Sequence, residues 1–264
     1  MRKTVEPMGD LDGRHVLITG ATSGIGRAVA RQLAEAGATV VLHGRRATAA
    51  EEVAAEIARL PRGSVGGTIL ADIATPAGCQ QLTEAAQASF PQLSAVCLIA
   101  GADTLTGPTA QLGFEEKLQL LTDVDLRSTM LLGRAFGSRL AAAGGGSLVT
   151  IGWDQAAIGM AGDSGELFAA IKGAVMAFTK SLAKSLAPSV RVNCVAPGWI
   201  KTAWGEQASA AWQQRAIQES LVGRWGKPED IAAAVHWLVS PQSSFVTGQI
   251  ININGGFRTS QDSS

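Results

Sequence analysis

Two stretches of this chain pair residue types with spacings that could do chemistry. The first is TGATSGIG at 19–26. Gly20, Gly24 and Gly26 let a backbone approach a phosphate closely, and a helix opening there, with Ser23 and Ile25 in the same turn, offers unpaired N–H groups to the anion. The second is GELFAAIKGA at 165–174, in which Phe168 and Lys172 stand four apart, on one face of a helix. A phenyl ring has no proton to give, and the 264-residue chain contains no tyrosine at all. A proton for any reaction at Lys172 must come from another group. The loop TIGWDQAAIG at 150–159 adds Trp153, Asp154 and Gln155. Asp154 or Gln155 could hydrogen-bond a substrate or simply close the loop, and both readings stand.

The elements that must position these residues alternate along the chain. HVLIT (15–19), TVVLH (39–43), GGTIL (66–70), AVCLI (95–99), SLVTI (147–151), VRVNCV (190–195) and QIININ (249–254) read as strands. Several are apolar on both faces, as strands covered on both sides should be. Segments such as IGRAVARQLAEAG and AAEEVAAEIARL carry helical periodicity and end at Gly or Pro. Asp163 and Glu166 have capping-box spacing and predict a helix start there. The pattern predicts an α/β fold: one Rossmann-type, doubly wound domain whose mostly parallel sheet has about seven strands flanked by helices. No linker or repeat divides residues 1–264. Ligands of such a sheet lie beyond the carboxyl ends of the strands, in the loops following residues 19, 43, 70, 99, 151 and 195.

Composition narrows the function classes. Lys plus Arg and Asp plus Glu both total 22, so nothing favours a nucleic acid or an acidic membrane as partner. The start, MRKTVEPMGDLDGRH, lacks the apolar run of a signal peptide, and no stretch approaches a membrane span, so a cytoplasmic location is expected. Cys79, Cys97 and Cys194 match no metal spacing and read as reduced core residues; His15, His43 and His236 are scattered singly, so no metal site is expected.

The spacing TGxxxGIG resembles the short-chain dehydrogenase/reductase family, and the resemblance runs from about Gly13 to Gly256. AD at 71–72, AG at 100–101, Lys172, RVNCVAPGWIKT at 191–202, RWGKPEDIA at 224–232 and VTGQIININGG at 246–256 match the same family pattern. The resemblance implies a nicotinamide dinucleotide held by Gly20, Ser23, Gly24, Ile25, Gly26, Asp72, Ile73, Ala100, Gly101, Lys172, Pro197, Gly198, Ile200 and Thr202. Asp72 would hold the adenine, Ala100 and Gly101 would line the nicotinamide side, and Thr202 would meet the carboxamide or phosphates. After the second strand the chain reads HGRR, with Gly44 where an acid would repel a ribose phosphate. Arg45 and Arg46 follow, and a guanidinium pairs well with a phosphate, so NADP(H) is expected over NAD(H).

The family's proton chemistry uses Ser, Tyr and Lys with an Asn from an earlier helix. Of these the chain clearly keeps Lys172; Phe168 stands at the tyrosine and Asp125 at the asparagine. Counting back from Phe168 places Gln155 at the serine, whereas counting from the strand end favours Trp153 or Asp154. The missing tyrosine with a new aspartate resembles the dienoyl-CoA reductase branch, where Asp, Lys and a bound water supply the proton. The family also has a substrate-covering region, here 199–221, where Trp199 and Trp204, with Trp153 and Phe168, would line a pocket. A homo-oligomer, tetramer or dimer, is expected by the same resemblance. The expected function is an NADP(H)-dependent oxidoreductase of an activated apolar carbonyl or conjugated enoyl substrate. Two alternatives stand: a non-catalytic NADP(H)-binding homologue with a sensing or assembly role, and an isomerase or dehydratase using Asp154.

Overall fold

A computed structural model describes residues 10–105 and 107–258. Strand β1 (His15–Thr19) leads into helix α1 (Gly24–Glu35), then β2 (Thr39–Gly44), α2 (Ala47–Ala58), β3 (Ser64–Leu70), α3 (Pro76–Ser89) and β4 (Ala95–Leu98). The second half runs α4 (Phe114–Leu121), a π-helical turn (Thr122–Arg127), α5 (Ser128–Ala142), β5 (Gly146–Ile151) and α6 (Asp163–Leu186). It closes with β6 (Val190–Pro197), α7 (Ala203–Gln207), α8 (Ala210–Glu219), α9 (Pro228–Val239) and β7 (Ile250–Ile253). The strands form one seven-stranded sheet in the order β3-β2-β1-β4-β5-β6-β7, and every neighbouring pair is parallel. The sheet is therefore wholly parallel where the sequence promised only a mostly parallel one.

Each strand divides its apolar residues between two cores, because successive side chains point to opposite faces. Val16, Ile18, Val40, Leu42 and Val149 pack under α1, α2 and α9 with Leu33, Ile57 and Val235. Leu17, Val41, Val96 and Leu148 face α3, α5 and α6, meeting Leu82, Phe136 and Leu182. The strands are added outward from β1 in one direction and from β4 in the other, and this switch in sheet order opens a crevice at their carboxyl ends. The capping box expected at Asp163 does not form: Gly162, at φ +91°, precedes the helix, and its carbonyl accepts from Glu166 N–H. Asp163 and Glu166 instead put two carboxylates into the first turn of α6, where the helix dipole favours them.

Candidate active site

The crevice is a cleft of about 620 Å³ running from Gly44 and Arg45 at one end to Phe168 and Lys172 at the other. Its entry is built by the turn from β1 into α1. Gly20 sits at φ +67°, and a Cβ there would come within 2.8 Å of Ala100 Cα, so the loop can lie against β4 only as glycine. Ser23 precedes the first turn of α1 and makes no side-chain cap, leaving the opening amides of that helix to a ligand. Thr19 Oγ1 accepts from the N–H groups of Ile99 and Ala100 and ties the loop after β4 to β1.

At the far end, Asp125 lies in the π-helical turn between α4 and α5, a distortion that recurs at functional sites. Its carboxylate is 1% exposed and stands 2.7 Å from Lys172 Nζ, itself carried by α6 and buried. Oδ2 of Asp125 accepts from Ala102 N–H at 2.9 Å. Gly101 makes that approach possible, since a Cβ on it would meet Asp125 Oδ1 at 2.9 Å. Lys172 also donates to Ile151 O at 3.4 Å, at the end of β5. An ammonium has three donors, so one remains toward the cleft that Lys172 lines. Phe168, one turn earlier on α6, forms the wall beside it, and the Trp153 ring meets it edge-on with centroids 6.1 Å apart.

The other residues singled out in the sequence separate into two groups. Gly20, Ser23, Gly24, Ile25, Gly26, Arg45, Asp72, Ile73, Ala100, Gly101, Pro197 and Thr202 line the cleft with Lys172, Asp125 and Phe168. Arg46 does not; it stands before the first turn of α2. Gly198 packs against Asn254, and Ile200 is buried in the core. Asp154 also faces away, its Oδ2 accepting from Asn254 Nδ2 at 3.0 Å. Burial pushes the Asp154 carboxyl up to about 6, and the Glu219 charge acts in the same direction against the opposing hydrogen bond from Asn254. Gln155 is buried, with no acceptor for its Nε2 among the described residues. Of the three loop residues, Trp153 is the one set against Phe168.

Trp199 is turned from the cleft. Its Nε1 donates to Glu219 Oε2 at 2.7 Å, its ring packs 5.1 Å from that of Trp212, and Arg215 lies over both rings. The Trp204 side chain lies outside the described residues. The segment 199–221 folds largely as α7 and α8, and Thr202 and Ala203 bring its start to the cleft. Sequence reasoning missed Leu105, Leu120 and Val124, apolar residues lining the same cleft as Phe168, and missed His43 at the entry. Leu120 and Val124 stand four apart, on one helical face just before Asp125, a signal that could have found them. The three cysteines are buried free thiols, and burial pushes those of Cys97 and Cys194 up. Among the described residues no cluster of His, Cys, Asp or Glu could hold a metal, and no helix is long and apolar enough to cross a membrane.

Glycine loop, helix N-terminus, basic entry and buried lysine fit a dinucleotide laid across the crevice, and known proteins agree. Residues 20–258 match the family model described as enoyl-(acyl carrier protein) reductase. A 3-oxoacyl-[acyl-carrier-protein] reductase of Aquifex aeolicus is 32% identical over 253 residues, covering 93% of this chain and 98% of its own length. A gluconate 5-dehydrogenase from Burkholderia cenocepacia, solved with NADP and tartrate, superposes with a TM-score of 0.82 at 28% identity, over 93% of this chain and 95% of its own. A 7α-hydroxysteroid dehydrogenase solved with NADH and 7-oxo glycochenodeoxycholic acid gives 0.81 at 29% identity, over 94% and 95%. With this sheet order, this glycine loop and matches over nearly the whole length, the chain belongs to the short-chain dehydrogenase/reductase family of oxidoreductases.

Proposed function

We propose that the protein is an NADP(H)-dependent oxidoreductase of an activated apolar carbonyl or conjugated enoyl substrate, using Asp125, Lys172 and a water in place of tyrosine. The single observation that carries this reading is the buried 2.7 Å pair of Asp125 and Lys172 at the end of the cleft beside Phe168. When bound, the nicotinamide supplies or accepts the hydride. Lys172 keeps one N–H for a cleft water, and Asp125 holds the ammonium in place, so a proton can be delivered where the family's phenol would stand. Substrate oxygen gathering negative charge would find its stabilising donor in the water held on that N–H.

The walls support an apolar substrate. Leu105, Leu120, Val124, Ile151 and Phe168 surround this end, and Lys172, its one cation among the described residues, is already paired. A carboxylate or sugar acid would meet no free counter-charge among them. Arg45 lines the opposite end and supports a phosphate on the adenosine ribose. A homo-oligomer belongs to the same reading, and Phe114, Leu118, Met130 and Leu131 are exposed apolar side chains on α4 and α5 that a subunit contact could cover.

The test is NADPH oxidation by the purified protein against ketones, conjugated enones and enoyl-CoA thioesters, with NADPH and NADH titrated separately. Turnover on the conjugated substrates and tighter binding of NADPH are expected. Tight NADPH binding with no oxidation on any class would overturn the enzymatic reading in favour of a non-catalytic binder, and tighter binding of NADH would overturn the cofactor assignment.

A further inference from the structure

His43 ends the apolar run of β2 and is 2% exposed, yet it is one of the residues lining the cofactor cleft. Three strands meet at its ring and peptide. Gly20 N–H donates to His43 Nδ1 at 3.4 Å, a long contact, while the next amide, Ala21 N–H, donates to His43 O at 3.0 Å. On the other side, His43 Nε2 lies 3.1 Å from Ala71 O, beyond the end of β3. An imidazole that accepts at Nδ1 from an amide must carry its proton at Nε2, so Nε2–H donates to Ala71 O. The adjoining Gly44 O accepts from Ala71 N–H at 3.2 Å and completes the tie.

These contacts decide which amides a phosphate can use. Gly20 and Ala21 N–H are consumed by His43, and the amides opening α1, which have no intrahelical acceptor, are left facing the cleft. Gly20 is held from the opposite side by Ala100, against which it leaves no room for a Cβ. We infer that His43 is a positioning residue for the dinucleotide: it acts as a neutral clamp that sets the glycine loop between β1 and β3 and presents the α1 amides to the phosphates. The inference rests on the cofactor reading above but concerns a residue that touches the loop rather than the reaction.

The charged groups around the ring are Arg45, following on β2, and Asp72, following β3. Burial dominates over both and over the pull of the Ala71 carbonyl, and it holds the imidazole at about 4. The acceptor at Nδ1 is therefore present at neutral pH.

Two substitutions separate the two edges of the ring. His43→Asn places an amide oxygen near Nδ1 and keeps the acceptor for Gly20; His43→Gln places its amide nitrogen near Nε2 and keeps the donor to Ala71. Amide hydrogen exchange across residues 19–26 of the cofactor-free protein and the Kd for NADPH are the readouts. His43→Gln should exchange at least about tenfold faster at Gly20 and bind NADPH roughly tenfold more weakly, the loss of one satisfied acceptor. His43→Asn should stay within about threefold of wild type in both. Equal exchange and equal Kd for the two variants would overturn the inference, as would a fall in thermal stability in both with NADPH affinity unmoved. Wild-type protein binding neither NADPH nor NADH would defeat the cofactor reading, and the exchange comparison would still decide whether His43 clamps the loop.

Discussion

Replacing Asp125 by asparagine changes one charge and almost no shape. The amide would restore the residue type common in the family, keep an oxygen for Ala102 N–H and leave Lys172 without its counter-ion at 2.7 Å. Removing one partner of a buried ion pair costs about 3–5 kcal/mol. The retained hydrogen bond to Ala102 offsets roughly 1 kcal/mol of that. The expected loss is about 2–4 kcal/mol, or roughly 5–12 °C in Tm for a chain of this size. The effect on turnover is separate, because the carboxylate is proposed to hold the ammonium and water that deliver the proton. A lost general acid lowers kcat by about 10²–10⁴-fold. The assay is single-turnover NADPH oxidation with the substrate that wild type uses best, run below the variant's Tm beside an NADPH titration showing that the cofactor still binds. Unchanged turnover in Asp125→Asn, with binding intact, would refute the mechanism, because the pair would then be only structural.

Two further outcomes follow from the same geometry. Phe168→Tyr, made together with Trp153→Ser to replace the edge-on ring contact, returns a phenol four residues before Lys172. A gain of at least about tenfold in kcat/KM for a simple ketone is expected; no gain in a folded, NADPH-binding variant would show that this face of α6 is not where the proton is delivered. Asp154 is raised by burial from 3.8 to about 6, so folding favours its protonated form. Its contribution is complete below about pH 4 and is lost as pH rises through about 6, amounting to roughly 2–3 kcal/mol. Thermal melts should therefore show Asp154→Asn gaining on wild type between about pH 4 and 7, and a constant difference in Tm across that range would contradict the assignment.

Much of the framework was legible without coordinates, for local reasons. Strand runs such as HVLIT and TVVLH report their own burial, and TGATSGIG reports its turn, because backbone preference and apolar alternation act over a few neighbours. Lys172 and Phe168 were placed on one face by helix geometry alone. The same local logic found the start of α6 at Asp163 but not its cap, because Gly162 takes the capping position in place of Asp163. What only the tertiary structure decided was direction. Asp125 and Asp154 were both candidates in the sequence, yet one turns through a π-helical distortion to Lys172 and the other turns out to Asn254. Arg45 and Arg46 are adjacent in sequence and divide between cleft and helix start; Trp199 looked like pocket lining and packs instead on Trp212 and Glu219. His43 looked like one more strand residue until β1 and β3 closed on its ring. Composition and period set which residues are buried and which elements form. Which way an irregular loop aims a side chain depends on elements distant in the chain, and no window of sequence contains them.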